Sequence, residues 1–154
     1  MPLSKVRAFV QNFDSTLEPL IFKEGLHTSQ EAADALGVEV GQIAKSILFR
    51  TKEGFALFVA SGDVRINTKR VKQLLGSSPK MASPQEVEEV TGFIVGAVCP
   101  FALAQPTPIF IDETLSRFEL IYTAAGIPES LLPIRFEQLI EITGGMVTNV
   151  AEEV

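Results

Sequence analysis

The stretch "GQIAKSILFR", residues 41 to 50, places a lysine inside an apolar run. Side chains alternate along a strand, so Lys45 shares a face with Ile47 and Phe49, while Ser46, Leu48 and Arg50 share the other. If Ile47 and Phe49 face the core, Lys45 points the same way, at the first residue of the strand. An ammonium at the mouth of an apolar interior favours a bound phosphate, carboxylate or carbonyl oxygen, and burying it without a partner is costly. The alternative is that its stem lies on apolar surface with the head in water. The other reactive side chains are scarce: one cysteine, Cys99, and one histidine, His27. A single thiol excludes an internal disulfide and a cysteine-rich metal cage. One histidine leaves few ligands for a transition metal, and no acidic cluster reads as a Mg²⁺ site, so neither metal nor cofactor is expected.

The elements that must position Lys45 follow from periodicity and turn chemistry. Val6, Phe9, Val10 and Phe13 fall at helical spacing and predict a helix over 3–13. "PLIFKEG" reads as a short strand. "TSQEAADALG" reads as a helix with Thr28 as N-cap, Glu31 completing a capping box and Gly37 as its left-handed stop. "SILFR" and "FALFVA" read as strands joined by the hairpin connection "TKEG". "SGDVRIN" is a turn and a short strand. A helix follows, capped by Asn67 or Thr68 and closed by Gly76. The next helix has Ser83 as N-cap, Pro84 at its first position and Glu86 closing the box. "FIVG" and "PIFID" read as strands bracketing the loop "GAVCPFALAQPT". "FELIYTAAG" and "LLPI" read as a strand pair, and "RFEQLIEIT" as the last helix. Hairpins beside helices, without strict βαβ alternation, predict an α+β fold with a mixed, barrel-like sheet and surrounding helices.

The chain has 154 residues, 46% of them hydrophobic, with 11 Phe and no Trp, which suits a single domain over 1–154 with a real core. No apolar h-region opens the sequence and no run of eighteen apolar residues occurs, so a signal peptide and a membrane span are not expected and the cytoplasm is. Absence of G-x-G-x-x-G and of a Walker loop weakens dinucleotide and P-loop readings. The net charge of −6 argues against tight non-specific nucleic-acid binding. Its distribution says more: Arg65, Lys69, Arg70, Lys72 and Lys80 fall in one segment that contains no acid. Such a segment is either a solvated helix face or a local phosphate-binding track.

"TSQEAADALGVEVGQIAKSILFR" resembles the YbaK/ProX family of trans-acting aminoacyl-tRNA deacylases, relatives of the editing domain of bacterial prolyl-tRNA synthetases. The resembling residues are Thr28, Ala32, Ala33, Gly37, Val38, Gln42, Ile43, Lys45 and Ser46. The likeness continues through "FALFVASGDVRINTKRVKQLLG", "MASPQEVEEVTGFIVGAVCPFAL" and "IFIDETL", covering roughly residues 25 to 145. It implies hydrolysis of the ester that joins a wrong amino acid to tRNA, a mixed barrel-like sheet, and mischarged tRNA as partner, with a prolyl-tRNA synthetase supplying RNA affinity. Cys or Ala on the tRNA for proline is the implied substrate.

On that resemblance Lys45 binds and orients the aminoacylated 3′ end, and general-base work is disfavoured by an ordinary lysine pKa of about 10. "GAVCPF" matches the family's glycine- and proline-containing loop. Gly96 permits close backbone approach, Pro100 stiffens the far side, and the N–H groups around Gly96, Ala97 and Val98 could bind the developing oxyanion. Cys99 lines the pocket or the core; no base lies near it in sequence for covalent catalysis. Gly62 and Asp63 form another wall, where Asp63 either binds the substrate amine or makes an Asx-type turn. His27 either contacts the terminal adenosine or aminoacyl group, or caps the helix beside Thr28. Ser46 and Gly126 complete the implied substrate-binding set, Gly126 in "TAAGIPES". The residues after Gly126 depart from versions with a basic or His residue, so no catalytic role is assigned to them. The competing reading is a tRNA- or synthetase-binding module of the same fold without turnover.

Overall fold

The computed structural model describes residues 1–153. Five helices are present: α1 (Pro2–Gln11), α2 (Ser29–Leu36), α3 (Thr68–Leu75), α4 (Pro84–Thr91) and α5 (Phe136–Thr143). Ten strands accompany them: β1 (Leu20–Ile21), β2 (Ile43–Thr51), β3 (Gly54–Ser61), β4 (Val64–Ile66), β5 (Lys80–Met81), β6 (Ile109–Asp112), β7 (Leu120–Thr123), β8 (Ser130–Arg135), β9 (Met146–Thr148) and β10 (Ala151–Glu153). Two 3₁₀ turns, Val40–Gln42 and Glu113–Arg117, lead into β2 and out of β6.

The main sheet runs β1-β8-β7-β2-β3-β6-β9, with β5 on the far part of β2; β4 and β10 pair separately. β2–β3, β7–β8, β1–β8 and β2–β5 are antiparallel, whereas β2–β7, β3–β6 and β6–β9 are parallel. The fold is therefore α+β with a mixed sheet and surrounding helices. β2 and β3 are central, so their apolar residues are covered on both faces. Val59 and Ala44 join the cluster under α1 and α5, while Phe49, Ala56 and Phe58 join one under Val71 of α3.

The helix signals operate much as local chemistry dictates. Thr28 Oγ1 accepts from the Glu31 N–H at 3.0 Å, and Gly37 ends α2 at φ 70°. Asn67, not Thr68, caps α3, accepting from the Lys69 and Arg70 N–H groups. Ser83 and Glu86 form both halves of a capping box on α4.

Some expectations are corrected. "FIVG" is a turn, not a strand: the Ala97 N–H bonds Ile94 O at 3.0 Å and Gly96 takes φ 92°, a geometry that breaks any ladder. Lys45 is the third residue of β2, not its first, because Ile43 and Ala44 already pair with Tyr122 and Thr123 of β7. After α5, β9 extends the sheet beside β6 and β10 pairs with β4. Helix α1 also stops at Gln11, leaving Phe13 51% exposed.

Candidate active site

The site lies at a gap in the sheet. On its β7 side, β2 is paired only at Ile43 and Ala44. Farther along, β5 pairs with Phe49 and Arg50, and the Ala82 N–H reaches Leu48 O at 2.9 Å. No strand covers residues 45–47 on that edge among the described residues. A cleft of about 140 Å³ opens there. The start of α2 supplies His27 and Thr28, β2 supplies Lys45 and Ser46, and the glycine loop supplies Gly96 and Val98. Ile43, Ala32 and Leu131 form its apolar floor and belong to one packed cluster.

Ser46 is the polar element of the gap. In an antiparallel pair, main-chain groups point alternately toward the partner and away. The Gly62 N–H bonds Ile43 O at 2.7 Å, which turns the odd residues of β2 toward β3. The bond from Ala82 to Leu48 O shows the even residues facing the other way. The N–H and C=O of Ser46 thus face the gap. Its Oγ is also buried without a hydrogen-bond partner. Buried polar groups are normally satisfied, so the Ser46 hydroxyl and main chain leave unused hydrogen-bonding capacity beside the cleft.

Lys45 leaves β2 on the opposite face. Its Nζ donates to the Val64 carbonyl, and the side chain is partly buried. Burial pushes its pKa below the usual lysine value, and the Asp63 carboxylate works against that shift. The ammonium is therefore held at the cleft wall by one carbonyl, with donors left over.

The glycine loop offers main-chain donors. Gly96 is exposed, and a Cβ there would meet nothing within 4 Å, so its φ of 92° rather than crowding requires glycine. The Ala97 N–H is used inside the turn. The Gly96 and Val98 N–H groups make no hydrogen bond among the described residues. Ala97 itself is fully buried in the core, outside the cleft lining.

Of the remaining expected residues, all but His27 lie outside the cleft lining. Cys99 is buried, its thiol pushed up to about 12 by burial, with Sγ donating to Phe101 O at 3.9 Å. Pro100 is buried beside it. Gly62 is a close-approach residue: a Cβ would lie 2.6 Å from Val40 O. Both carboxylate oxygens of Asp63 accept from Arg117, at 2.7 and 3.1 Å. That pairing holds the Asp63 pKa below the usual carboxylate range. Gly126 packs its φ of 98° against Pro2 O, where a Cβ would lie at 3.0 Å. His27 is exposed at the cleft rim, next to the cap residue Thr28.

The structure also adds residues with little signal in the sequence. Ser130 lines the cleft, accepting from the Ala125 N–H and donating to Ile127 O, which ties the loop before β8. Arg117 is visible only through its partner 54 residues away. In the basic segment, Arg65 pairs with Glu152 at 2.9 Å and Arg70 bonds Asn149 and Ala151 O. Lys69 and Lys72 stay on α3, whose Val71 packs on the Ile47–Phe49 face, the face from which Lys45 departs. Among the described residues, no group of three or more His, Cys, Asp or Glu could hold a metal ion. No helix among them is long and apolar enough to cross a membrane.

Comparison with known proteins fits this geometry. The family model for the aminoacyl-tRNA editing domain matches residues 23–142. YwhH of Bacillus subtilis, an uncharacterized protein, is 34% identical over 144 residues, covering 93% of this chain and 92% of its own. The proline–tRNA ligase of Kosmotoga olearia is 36% identical over 97 residues, which are 62% of this chain and 17% of the ligase. A crystal structure described as that of a candidate trans-editing enzyme for prolyl-tRNA synthetase superposes with a TM-score of 0.87. It is 34% identical and covers 96% of this chain and 97% of its own.

Proposed function

The chain belongs to the aminoacyl-tRNA editing domain family, and on that premise we propose that it hydrolyses the ester of mischarged tRNA in trans. The substrate is a small amino acid, Ala or Cys, on the tRNA for proline. The observation that carries this reading is the cleft at the sheet gap. It gathers the unpaired main chain and hydroxyl of Ser46, the free N–H groups of Gly96 and Val98, and Lys45 on its wall.

The chemistry follows from those groups. The ester carbonyl sits on the Gly96 and Val98 N–H groups, which stabilise the negative charge that develops when the carbonyl is attacked. The Ser46 carbonyl accepts from the substrate α-ammonium. Lys45 orients the 3′ end through phosphate or carbonyl oxygen. The nucleophile is water, or water assisted by the neighbouring ribose hydroxyl. An aminoacyl ester is already activated, so positioning and electrostatic support suffice. A cleft of about 140 Å³ admits a small side chain. Exclusion by size gives only about 1–3 kcal/mol per methylene, so activity spreads over several small amino acids. A prolyl-tRNA synthetase supplies affinity that this acidic chain lacks, and the work is cytoplasmic.

One observation favours a second reading, a tRNA- or synthetase-binding module without turnover: the Lys45 ammonium already donates to Val64 O. Deacylation of Ala-, Cys-, Ser- and Pro-tRNA for proline by wild type and Lys45→Ala separates the two. Editing requires hydrolysis of a mischarged species, sparing of the cognate one and loss in the variant. No turnover on any of them selects the binding module.

A further inference from the structure

Both carboxylate oxygens of Asp63 are engaged by Arg117, which ties the side chain to the fold rather than to the cleft. Arg117 is itself fixed on two further sides. Its Nε donates to Thr114 O at 2.7 Å, and its guanidinium lies 5.0 Å from the Phe118 ring centre. The 3₁₀ turn carrying it is anchored by Asp112, which is 1% exposed. Asp112 accepts from the N–H and hydroxyl of Thr114 and from the Val150 N–H. On the other side, the turn between β3 and β4 packs closely on the segment before β2. A Cβ on Gly41 would lie 2.9 Å from Asp63 Oδ2, and one on Gly62 would lie 2.6 Å from Val40 O. The residue after Asp63 is Val64, whose carbonyl takes the Lys45 ammonium.

We propose that Asp63 and Arg117 are positioning residues for Lys45: the pair locks the Gly62–Val64 turn, and the Val64 carbonyl of that turn holds the ammonium at the cleft wall. The lock runs from the buried end of β6 through Arg117 and Asp63 to β4, so it ties Lys45 to the rigid sheet rather than to a loop. Asp63 also supplies the charge that opposes loss of the Lys45 proton on burial. Of the charged groups around it, Asp63 is the one that acts on that proton. Asp63 lies in the β3–β4 turn, Arg117 behind it on the 3₁₀ turn, and His27 is the other titratable side chain lining the cleft. The inference rests on the deacylase reading only for what Lys45 does once placed.

The test is a titration of the Lys45 ¹³Cε resonance by NMR, assigned with Lys45→Arg, in the full-length protein. Asp63→Asn removes the anion and lowers the Lys45 midpoint. Arg117→Met leaves Asp63 unpaired and raises it. Both variants break the same ion pair, so the lock requires both to displace Lys45 and to move its ¹³Cε shift and midpoint away from wild type, in directions set by the charge that remains; a wild-type shift and midpoint in either folded variant overturns the proposal. Arg117→Lys retains the cation and keeps the midpoint near wild type, which guards against a folding defect in Arg117→Met. In deacylation, kcat/KM falls about 10- to 100-fold in Asp63→Asn and Arg117→Met, the scale of a misplaced contact group. If wild type deacylates nothing while the midpoints split as stated, the deacylase reading fails and the positioning role stands.

Discussion

Ser46 and Ser61 are diagonal neighbours on one face of the β2–β3 hairpin, and both hydroxyls are buried without a partner. Ser46 pairs with Val59, and Ser61 with Ala44. Only Ser46 lines the cleft. The same defect therefore has two different contexts. A buried hydroxyl without a hydrogen bond costs about 1–3 kcal/mol. Ser61→Ala should raise unfolding free energy by about 1 kcal/mol and leave deacylation unchanged. Ser46→Ala should give a similar gain in stability with a loss in kcat/KM. Denaturant melts and single-turnover assays on both variants check this; equal activities would remove the Ser46 hydroxyl from the site.

Gly96 tests the donor loop. Its φ of 92° disfavours any side chain, while the space around it is open. Gly96→Ala should cost about 1–3 kcal/mol through backbone strain alone, or relax by turning the loop and moving the free N–H groups. Either route lowers kcat. A variant with wild-type kcat would move the oxyanion contact away from this loop.

Cys99 should be chemically silent. Its thiol is fully buried and pushed up to about 12, so almost no thiolate exists near neutrality. Folded protein should resist iodoacetamide at pH 8 and react only when denatured. Cys99→Ala should lose about 1–2 kcal/mol of stability by the small cavity it leaves, with turnover intact. Abolished turnover in a folded Cys99→Ala would restore covalent catalysis as a reading.

Lys45 makes stability depend on pH in a defined direction. Its folded pKa lies below the ordinary lysine value of 10.5, so the folded state binds fewer protons than the unfolded one between those two values. Burial of the ammonium is thus a cost present in full below the folded pKa. It fades as pH rises toward the unfolded value. Lys45→Met should remove this dependence. The stability of wild type relative to Lys45→Met should climb with pH in the alkaline range; a flat difference would mean that the ammonium is effectively solvated.

Much of the fold was legible because its signals are local. Thr28, Asn67 and Ser83 cap their helices, and Gly37, Gly76 and Gly92 end them in left-handed geometry. The hairpin of β2 and β3 follows from two apolar runs joined by "TKEG". "FIVG" misled because a short apolar run reads alike as a strand or as a buried turn; Phe93 is buried while Ile94 and Val95 are 52% and 60% exposed. The strand "MVT" has no sequence signal because three residues carry no usable period, and its pairing with β6 is what makes it a strand.

The site divides the same way. The sequence by itself determined that a lysine and a serine enter a buried strand and that the chain resembles an editing domain. These depend on residue type and on neighbours a few positions away. Gly96 reads in the sequence as a close-approach residue, whereas the structure leaves open space there and requires glycine for its φ of 92°. Only the tertiary structure decided which way the lysine points and what holds it. The parallel pairing of β2 with β7 stops at Ala44, which leaves the Ser46 edge unpaired. The contact of Asp63 with Arg117 spans 54 residues. Both are products of long-range packing, where chain segments meet because burial brings them together and no local pattern encodes the meeting.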